Sequence, residues 1–409
     1  MQSNVMQLML QCSIILLGLI AAVASMDMPG LAETTAMLSR LRKAVGPLAS
    51  AAAGHGALVE TADFGENPGG LKMLSHAPRG LAPGAPLVVV LHGCAQTAER
   101  YAVNGGWIAL ADRLGFAVLA PEQVASNNPN RCFNWFEPGD TTRGRGEAAS
   151  IAAMVAAALQ AHESDPRRVF VTGLSAGGAM TAAMLAAYPE LFAGGAIIAG
   201  LAHGVARGIP DALRVMGRGD GRGSAALGDL VERGDAPPLK LAIWHGDADY
   251  TVNVGNAQDL TRQWTVATGL AEAPSEVARS GNRTRSVWKD AAGGSIVELN
   301  IVHGLGHGTP LATKGEGAVG QAAPYMLEAG LSSTLEIADF WGLCAKGSTA
   351  KTSTPTRRVA PKAKTAQPTH SEDAPSGIAA QVMNSVSGHV SPGVREVIEQ
   401  ALRAAGLMR

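Results

Sequence analysis

Charge is scarce in this chain, and what there is cancels. Only 16% of the 409 residues are Asp, Glu, Lys or Arg, and 33 basic side chains stand against 34 acidic ones for a formal net charge of −1. Proteins that neutralise nucleic-acid phosphates carry a basic footprint, so no nucleic-acid partner is expected; a small neutral or apolar substrate is. Cysteine is scarce too. The four present form no CxxC pair and no Cys/His cluster at zinc-ligand spacing, which gives no basis for a structural metal, and no organic cofactor is implied. Basic residues are missing from the start of the chain, the first being Arg40. The opening MQSNVMQLMLQCSIILLGLIAAVASM is apolar and uncharged and carries Ala22-Val23-Ala24, a small-residue pattern that a signal peptidase accepts, without the basic flank of an export signal. Three origins stay open for residues 1–25. They are a signal peptide removed on export, an anchor retained in a membrane, or codons upstream of a start at Met26 or Met28. The first makes the protein secreted or periplasmic and removes Cys12, the second alone gives it a membrane partner, and the third leaves it cytoplasmic.

Apolar residues are abundant, at 46% of the chain, enough for a sizeable globular core. ALVETADFG and GLKMLSHAP resemble an opening hairpin. PLVVVLHG (86–93) is a continuous apolar, β-branched run, as in a parallel strand buried on both faces. GWIALADRLG has helical spacing, and FAVLAPE (116–122) is the next strand. EAASIAAMVAAALQAH (147–162) predicts a helix with acid at its positive end. RRVFVTGL, GGAIIAG and LKLAIWHG predict further strands, and AGGAMTAAMLAAYP a helix stopped by Pro189. Strand–helix alternation at this spacing predicts a three-layer α/β sandwich on a mostly parallel central sheet. GRGDGRGSAALGDL (217–230) reads as a surface insertion at the rim of a cleft, too polar for core.

One α/β domain is expected over 50–345, with a helix around SSTLEIADFWGLC (332–344). The stretch 346–376 lacks the apolar residues to offset ordering entropy and reads as a disordered Pro/Thr/Ala/Lys linker. A tail over 377–409 contains SPGVREVIEQALRAAGLMR, in which Ser391 caps a helix with Val394, Val397, Ile398, Ala401 and Ala405 on one face. That face suits docking on its own protein or another copy, or contact with a polymer or membrane surface.

The chemistry centres on VFVTGLSAGGAM (170–181). Gly173-Leu174-Ser175-Ala176-Gly177 is a GxSxG between a predicted strand and a predicted helix, the setting in which it forms a nucleophile elbow. The turn strains the serine, and side chains at Gly173 and Gly177 would collide with neighbouring backbone. The following helix start presents free N–H groups to an anion forming beside Ser175. A serine hydroxyl needs a base and an acid that orients it, and in this fold the chain order is Ser, Asp or Glu, His. Of ten histidines, His55, His76, His92 and His162 precede Ser175, His203 and His245 precede or adjoin the acid, and His370 and His389 fall in the linker and tail. His307, in a loop between Gly306 and Gly308, and His303, at a strand end, remain. For the acid, Asp249 and Asp247 compete in the loop after LKLAIWHG. An oxyanion hole requires one amide from Ala176 and another from the loop LHGCAQ (91–96), where Cys94 is placed to give it. Cys94 and Cys132 form either a disulfide pinning that loop, on export, or two free buried thiols.

LHGCAQ, PEQ, RCFNWF with RGRGEAASI, GLSAGGAM, WHGDADYTVN and GLGHG together resemble the poly(3-hydroxybutyrate) depolymerase family of esterases, relatives of feruloyl and acetylxylan esterases. The resemblance spans roughly residues 60–345. It implies an α/β-hydrolase fold and an acyl-enzyme esterase of short hydroxyacid esters. Ser175 is then the nucleophile, His307 the base, Asp249 the acid, Cys94 and Ala176 the oxyanion donors, and Gln96, Asn134 and Trp135 substrate-binding residues. Feruloyl or acetylxylan esters are the alternative substrates, and a non-catalytic protein bound to polyester granules is the alternative function. Secreted depolymerases of the family carry a separate substrate-binding domain, whereas here a linker and short tail follow, so soluble oligomers become a candidate substrate beside polymer.

Overall fold

A computed structural model describes residues 57–315 and 317–344. The segment over 1–25, the linker over 346–376 and the tail over 377–409 lie outside the described residues. The described chain opens with an antiparallel hairpin, β1 (Val59–Thr61) on β2 (Lys72–His76). Then come β3 (Leu87–Leu91), α1 (Ala98–Asn104), α2 (Trp107–Leu114) and β4 (Ala117–Glu122). A short α3 (Pro138–Thr141) precedes α4 (Gly146–Ala161), β5 (Val169–Leu174), α5 (Ala176–Ala187) and β6 (Gly194–Ile198). Helices α6 (Ile209–Arg218) and α7 (Ser224–Gly228) lead to β7 (Lys240–Gly246) and α8 (Gly255–Ala267). Strands β8 (Glu276–Ser280), β9 (Arg283–Lys289) and β10 (Ser295–Val302) follow. A small parallel pair, β11 (Thr309–Leu311) and β12 (Met326–Glu328), and helix α9 (Ser333–Phe340) close the described chain.

Ten strands make one sheet in the order β1-β2-β4-β3-β5-β6-β7-β10-β9-β8. The six central strands, β4 to β10, run parallel, and antiparallel pairs extend both ends. All five residues of β3 are buried, and the pleat sends them to two different cores. Val89 and Leu91 join Val171 and Ile243 against Met154 of α4, Met180 of α5 and Trp264 of α8. Val88 and Val90 join Phe170 and Trp244 on the other face, against Trp107 of α2 and Ile337 of α9. Helices on both faces of a mostly parallel sheet are the three-layer sandwich expected from the sequence.

Most of the Gly/Arg-rich insertion is exposed or half-buried, as a surface segment should be, but part of it packs. Its Leu227 is fully buried, and the Asp220 carboxylate is only 3% exposed, held by Arg222. The polar run therefore contributes to packing by pairing its charges. The cleft wall comes from α6, just before it.

Candidate active site

Parallel strands aim their carboxyl ends at one edge of the sheet, where open α/β folds place their ligand crevices. Four strands of the parallel run β3-β5-β6-β7-β10 deliver the candidate residues there. Ser175 follows β5, Cys94 lies beyond β3, Asp249 beyond β7 and His307 beyond β10.

The elbow is strained and tightly confined. Ser175 has φ 57° and ψ −117°, a conformation that costs an L-residue on the order of 1–3 kcal/mol. Its N–H donates to Ile198 O at 2.9 Å, which pins the turn. A Cβ at Gly173 would sit 2.3 Å from Gly177 O, and one at Gly177 would sit 2.2 Å from Leu91 O. Only glycine fits at either place.

The serine hydroxyl donates to His307 Nε2 at 2.9 Å, and His307 Nδ1–H donates to Asp249 Oδ2 at 2.7 Å. Asp249 fixes that tautomer. Its Oδ1 already accepts from the amides of Thr251 at 2.9 Å and Val252 at 2.8 Å, so the carboxylate meets only donors and Nε2 is left with its lone pair toward Ser175. Burial alone would raise this carboxyl, but the adjacent His245 ring and hydrogen bonds from His307 and the Val252 amide outweigh it and hold it well below the usual carboxylate range. The His245 ring, fully buried, donates through Nε2 to Val252 O at 2.8 Å and lies 3.4 Å from Asp249 Oδ2. The other two contenders from the sequence are elsewhere. His303 Nδ1 donates to Asp247 Oδ2 at 2.7 Å on the protein surface.

The LHGCAQ loop is held from several sides. Cys94 is disulfide-bonded to Cys132 across 38 residues, and the Ala95 amide donates to Asn130 O at 2.7 Å with Ala95 at φ 60°. Gln96 Oε1 accepts from the Gly93 amide at 2.8 Å. His92, fully buried, accepts the Gln123 amide at Nε2 (3.1 Å) and donates from Nδ1 to Gly93 O at 2.8 Å. The carbonyl and N–H of one trans peptide point opposite ways, so a Gly93 carbonyl turned to His92 sends the Cys94 N–H away from that ring. Among the described residues neither the Cys94 nor the Ala176 amide has a protein acceptor. Burial pulls the His92 imidazole down to about 4, which keeps Nε2 an acceptor.

Glu147 and Gln123 brace this loop from behind, a pair that reasoning from the sequence missed as functional. Buried Glu147 accepts from Gln123 Nε2 and, at 2.9 Å, from the Asn134 amide, and burial pushes its carboxyl up to about 8. The signal was available, because both residues sit in stretches that carry the family resemblance, PEQ and GEAAS.

A cavity of about 440 Å³ opens at Ser175, and its wall includes Cys94, Gln96, Trp135, Ala176 and His307. Asn134 is not in that wall. Its side chain instead accepts from Asn128 Nδ2 at 3.0 Å, while its neighbours Trp135 and Phe136 face the cavity. Most of the remaining lining is apolar, with Phe136, Leu201, Met216 and Val252. No group of acidic, histidine or cysteine side chains among the described residues could hold a metal.

A nucleophile elbow, a hydrogen-bonded histidine and carboxylate and two open amides at the edge of a parallel sheet define the class of serine hydrolases with the α/β-hydrolase fold. Comparison with known proteins narrows it. The chain belongs to the esterase PHB depolymerase family, whose pattern matches residues 74–288, and it is a carboxylic ester hydrolase. Poly(3-hydroxyalkanoate) depolymerase C of Paucimonas lemoignei is 44% identical over 293 residues, 70% of either chain. The acetylxylan esterase of Coprinopsis cinerea is 32% identical over 266 residues, 62% of this chain and 70% of that one. The solved acetyl xylan esterase from Aspergillus awamori shares the fold, with a TM-score of 0.59 at 24% identity over 71% of this chain and all of that one.

Proposed function

We propose that the chain hydrolyses esters of short hydroxyacids, poly(3-hydroxybutyrate) or its oligomers, through an acyl-enzyme on Ser175. The observation that carries this reading is the continuous hydrogen-bond chain from Ser175 through His307 to Asp249. Ser175 Oγ bonds to the ester carbonyl carbon while its proton passes to His307 Nε2, and the carbonyl electron pair moves onto oxygen. That oxyanion rests on the amides of Cys94 and Ala176. Collapse restores the carbonyl and breaks the ester C–O bond, and the departing alkoxide takes the proton from His307. A water repeats the cycle on the acyl-enzyme and frees Ser175.

The name of the 44% identical relative supports the polyester substrate, and so does the apolar wall, which suits a methyl-bearing acyl chain better than a polyhydroxylated xylan. The Cys94–Cys132 disulfide supports action outside the reducing cytosol, in the periplasm or beyond the cell. Ser175→Ala is the test. Hydrolysis of p-nitrophenyl butyrate should fall by roughly 10⁴-fold or more, with the circular dichroism spectrum kept and fluorophosphonate labelling lost. Unchanged turnover refutes the nucleophile. Faster release of acetate from xylan than of hydroxybutyrate from oligomers refutes the substrate.

A further inference from the structure

Glu147 is 1% exposed in the first turn of α4, yet no basic side chain among the described residues pairs with it. The charge that bears on it belongs to another carboxylate, Asp140, whose Oδ1 accepts the Glu147 N–H at 3.2 Å. A buried carboxylate without a cation is costly, and folds keep such exceptions chiefly at functional sites. What Glu147 meets instead is two neutral donors on two different segments. Its Oε1 accepts from Gln123 Nε2 and its Oε2 from the Asn134 amide at 2.9 Å.

Each oxygen leads to a different part of the site. Gln123 follows β4, and its backbone N–H donates to His92 Nε2 at 3.1 Å, while His92 Nδ1 holds the Gly93 carbonyl at 2.8 Å and with it the direction of the Cys94 amide. Asn134 is followed directly by Trp135 and Phe136, which line the cavity. The Cys94–Cys132 disulfide joins the same two loops at a separate point. Two points of attachment stop one loop from pivoting against the other, which a single bridge allows.

We propose that Glu147 is a positioning residue that holds the oxyanion loop and the apolar wall at one fixed spacing, so that an acyl chain lying against Trp135 presents its carbonyl oxygen to the Cys94 amide. The inference rests on the esterase reading above and extends it to how acyl length is matched to turnover. A glutamine at this position offers one oxygen and turns an N–H toward the other donor. Glu147→Gln therefore releases one of the two loops at nearly unchanged volume.

The test is run at pH 9, above the value of about 8 to which burial pushes this carboxyl. Glu147→Gln should lower kcat for p-nitrophenyl butyrate by about 10-fold or more, with KM within about threefold. For p-nitrophenyl acetate, whose acyl group is too short to lie along the wall, the loss should be smaller by about threefold or more. Affinity for butylboronic acid, whose tetrahedral adduct with the serine oxygen fills the oxyanion site, should fall in parallel with kcat/KM for the butyrate. Gln123→Met breaks the same contact from the other side and keeps the backbone donor to His92. It should reproduce the loss weighted toward butyrate, and the double variant should lose little more than the worse single one. Ser150→Ala is the control, since Ser150 sits on the same helix and accepts the Gly69 amide at 2.8 Å without bonding to either loop. It should lower the urea midpoint and leave kcat within about twofold. Unchanged kcat in Glu147→Gln, a loss carried by KM, or equal losses on the two esters overturns the proposal. A comparable kcat loss in Ser150→Ala does so too, because the effect would then be one of helix stability. Failure of the esterase reading is separable, because it appears as turnover of p-nitrophenyl butyrate that persists in Ser175→Ala.

Discussion

His303 Nδ1 meets Asp247 Oδ2 at 2.7 Å, the same separation as between His307 Nδ1 and Asp249 Oδ2. The two histidines and two aspartates that compete in the sequence are thus sorted into separate couples. Even the third partner is mimicked, with Thr284 Oγ1 2.8 Å from His303 Nε2 where Ser175 Oγ is 2.9 Å from His307 Nε2. Surroundings distinguish them. Thr284 lies within β9, an ordinary strand, and the His303 and Asp247 side chains are 43% and 38% exposed, whereas the Ser175 couple is buried beneath a cavity and beside open amides. Asp249→Asn should lower kcat toward p-nitrophenyl butyrate by about 10⁴-fold, because an amide no longer enforces the tautomer. Asp247→Asn should leave it within about twofold, as expected for an exposed pair. Reversed effects would assign the acid to the wrong couple.

His92 gives a prediction about pH. Its folded-state value of about 4 lies below the ordinary 6.5. The ring therefore contributes stability that is fully present above pH 6.5 and is lost as pH falls toward 4, because the unfolded chain then takes up a proton that the folded chain refuses. The shift corresponds to roughly 3 kcal/mol over that window. Urea unfolding of wild type and His92→Asn at pH 7 and pH 4.5 should therefore show the variant losing less stability on acidification. At pH 7 the same variant should lose about 10-fold or more in kcat, since the Gly93 carbonyl, and with it the Cys94 amide, is released. A variant with full kcat would remove His92 from the support of the oxyanion site.

The disulfide makes a separate claim on the same loop. Closing a 38-residue separation stabilises by about 4 kcal/mol in the chain-entropy treatment, as an upper estimate. Reduction, or Cys132→Ser, should lower the denaturant midpoint accordingly. It should also lower kcat more than KM, because Cys94 carries a proposed oxyanion donor while the substrate wall at Trp135 stays in place. Loss of stability with unchanged kcat would make the bridge purely structural.

Local constraints explain which parts of this site were legible in the sequence. The elbow was, because a turn that tolerates no Cβ at Gly173 or Gly177 must write glycine at both places. The parallel core was, because strands buried on both faces, such as Leu87–Leu91, read as continuous apolar runs. Strand β8 was not, since all five residues of Glu276–Ser280 are exposed and carry no core-facing alternation. Asn134 also escaped, because which residue of a short loop faces a cavity depends on the partners of its neighbours, here Asn128 and Glu147. A buried carboxylate such as Asp220 looks like a surface residue in a sequence, and its partner Arg222 in the same turn reveals otherwise.

Tyr325 joins strain to function. Its left-handed backbone, at φ 64°, costs a non-glycine residue roughly 1–2 kcal/mol, yet its carbonyl accepts from the Thr309 amide at 2.8 Å and so keeps the segment in register beside His307. Glycine takes this conformation freely but gains entropy in the unfolded chain. Tyr325→Gly should therefore leave stability unchanged or raise it by up to about 1 kcal/mol, measured by thermal or urea unfolding. If the ring is retained to hold ester chains at the cavity mouth, the same substitution should raise KM for hydroxybutyrate oligomers several-fold more than for p-nitrophenyl acetate, whose small acyl group does not reach the rim. A stability gain with no change in either KM would mean that the strain serves the backbone turn alone.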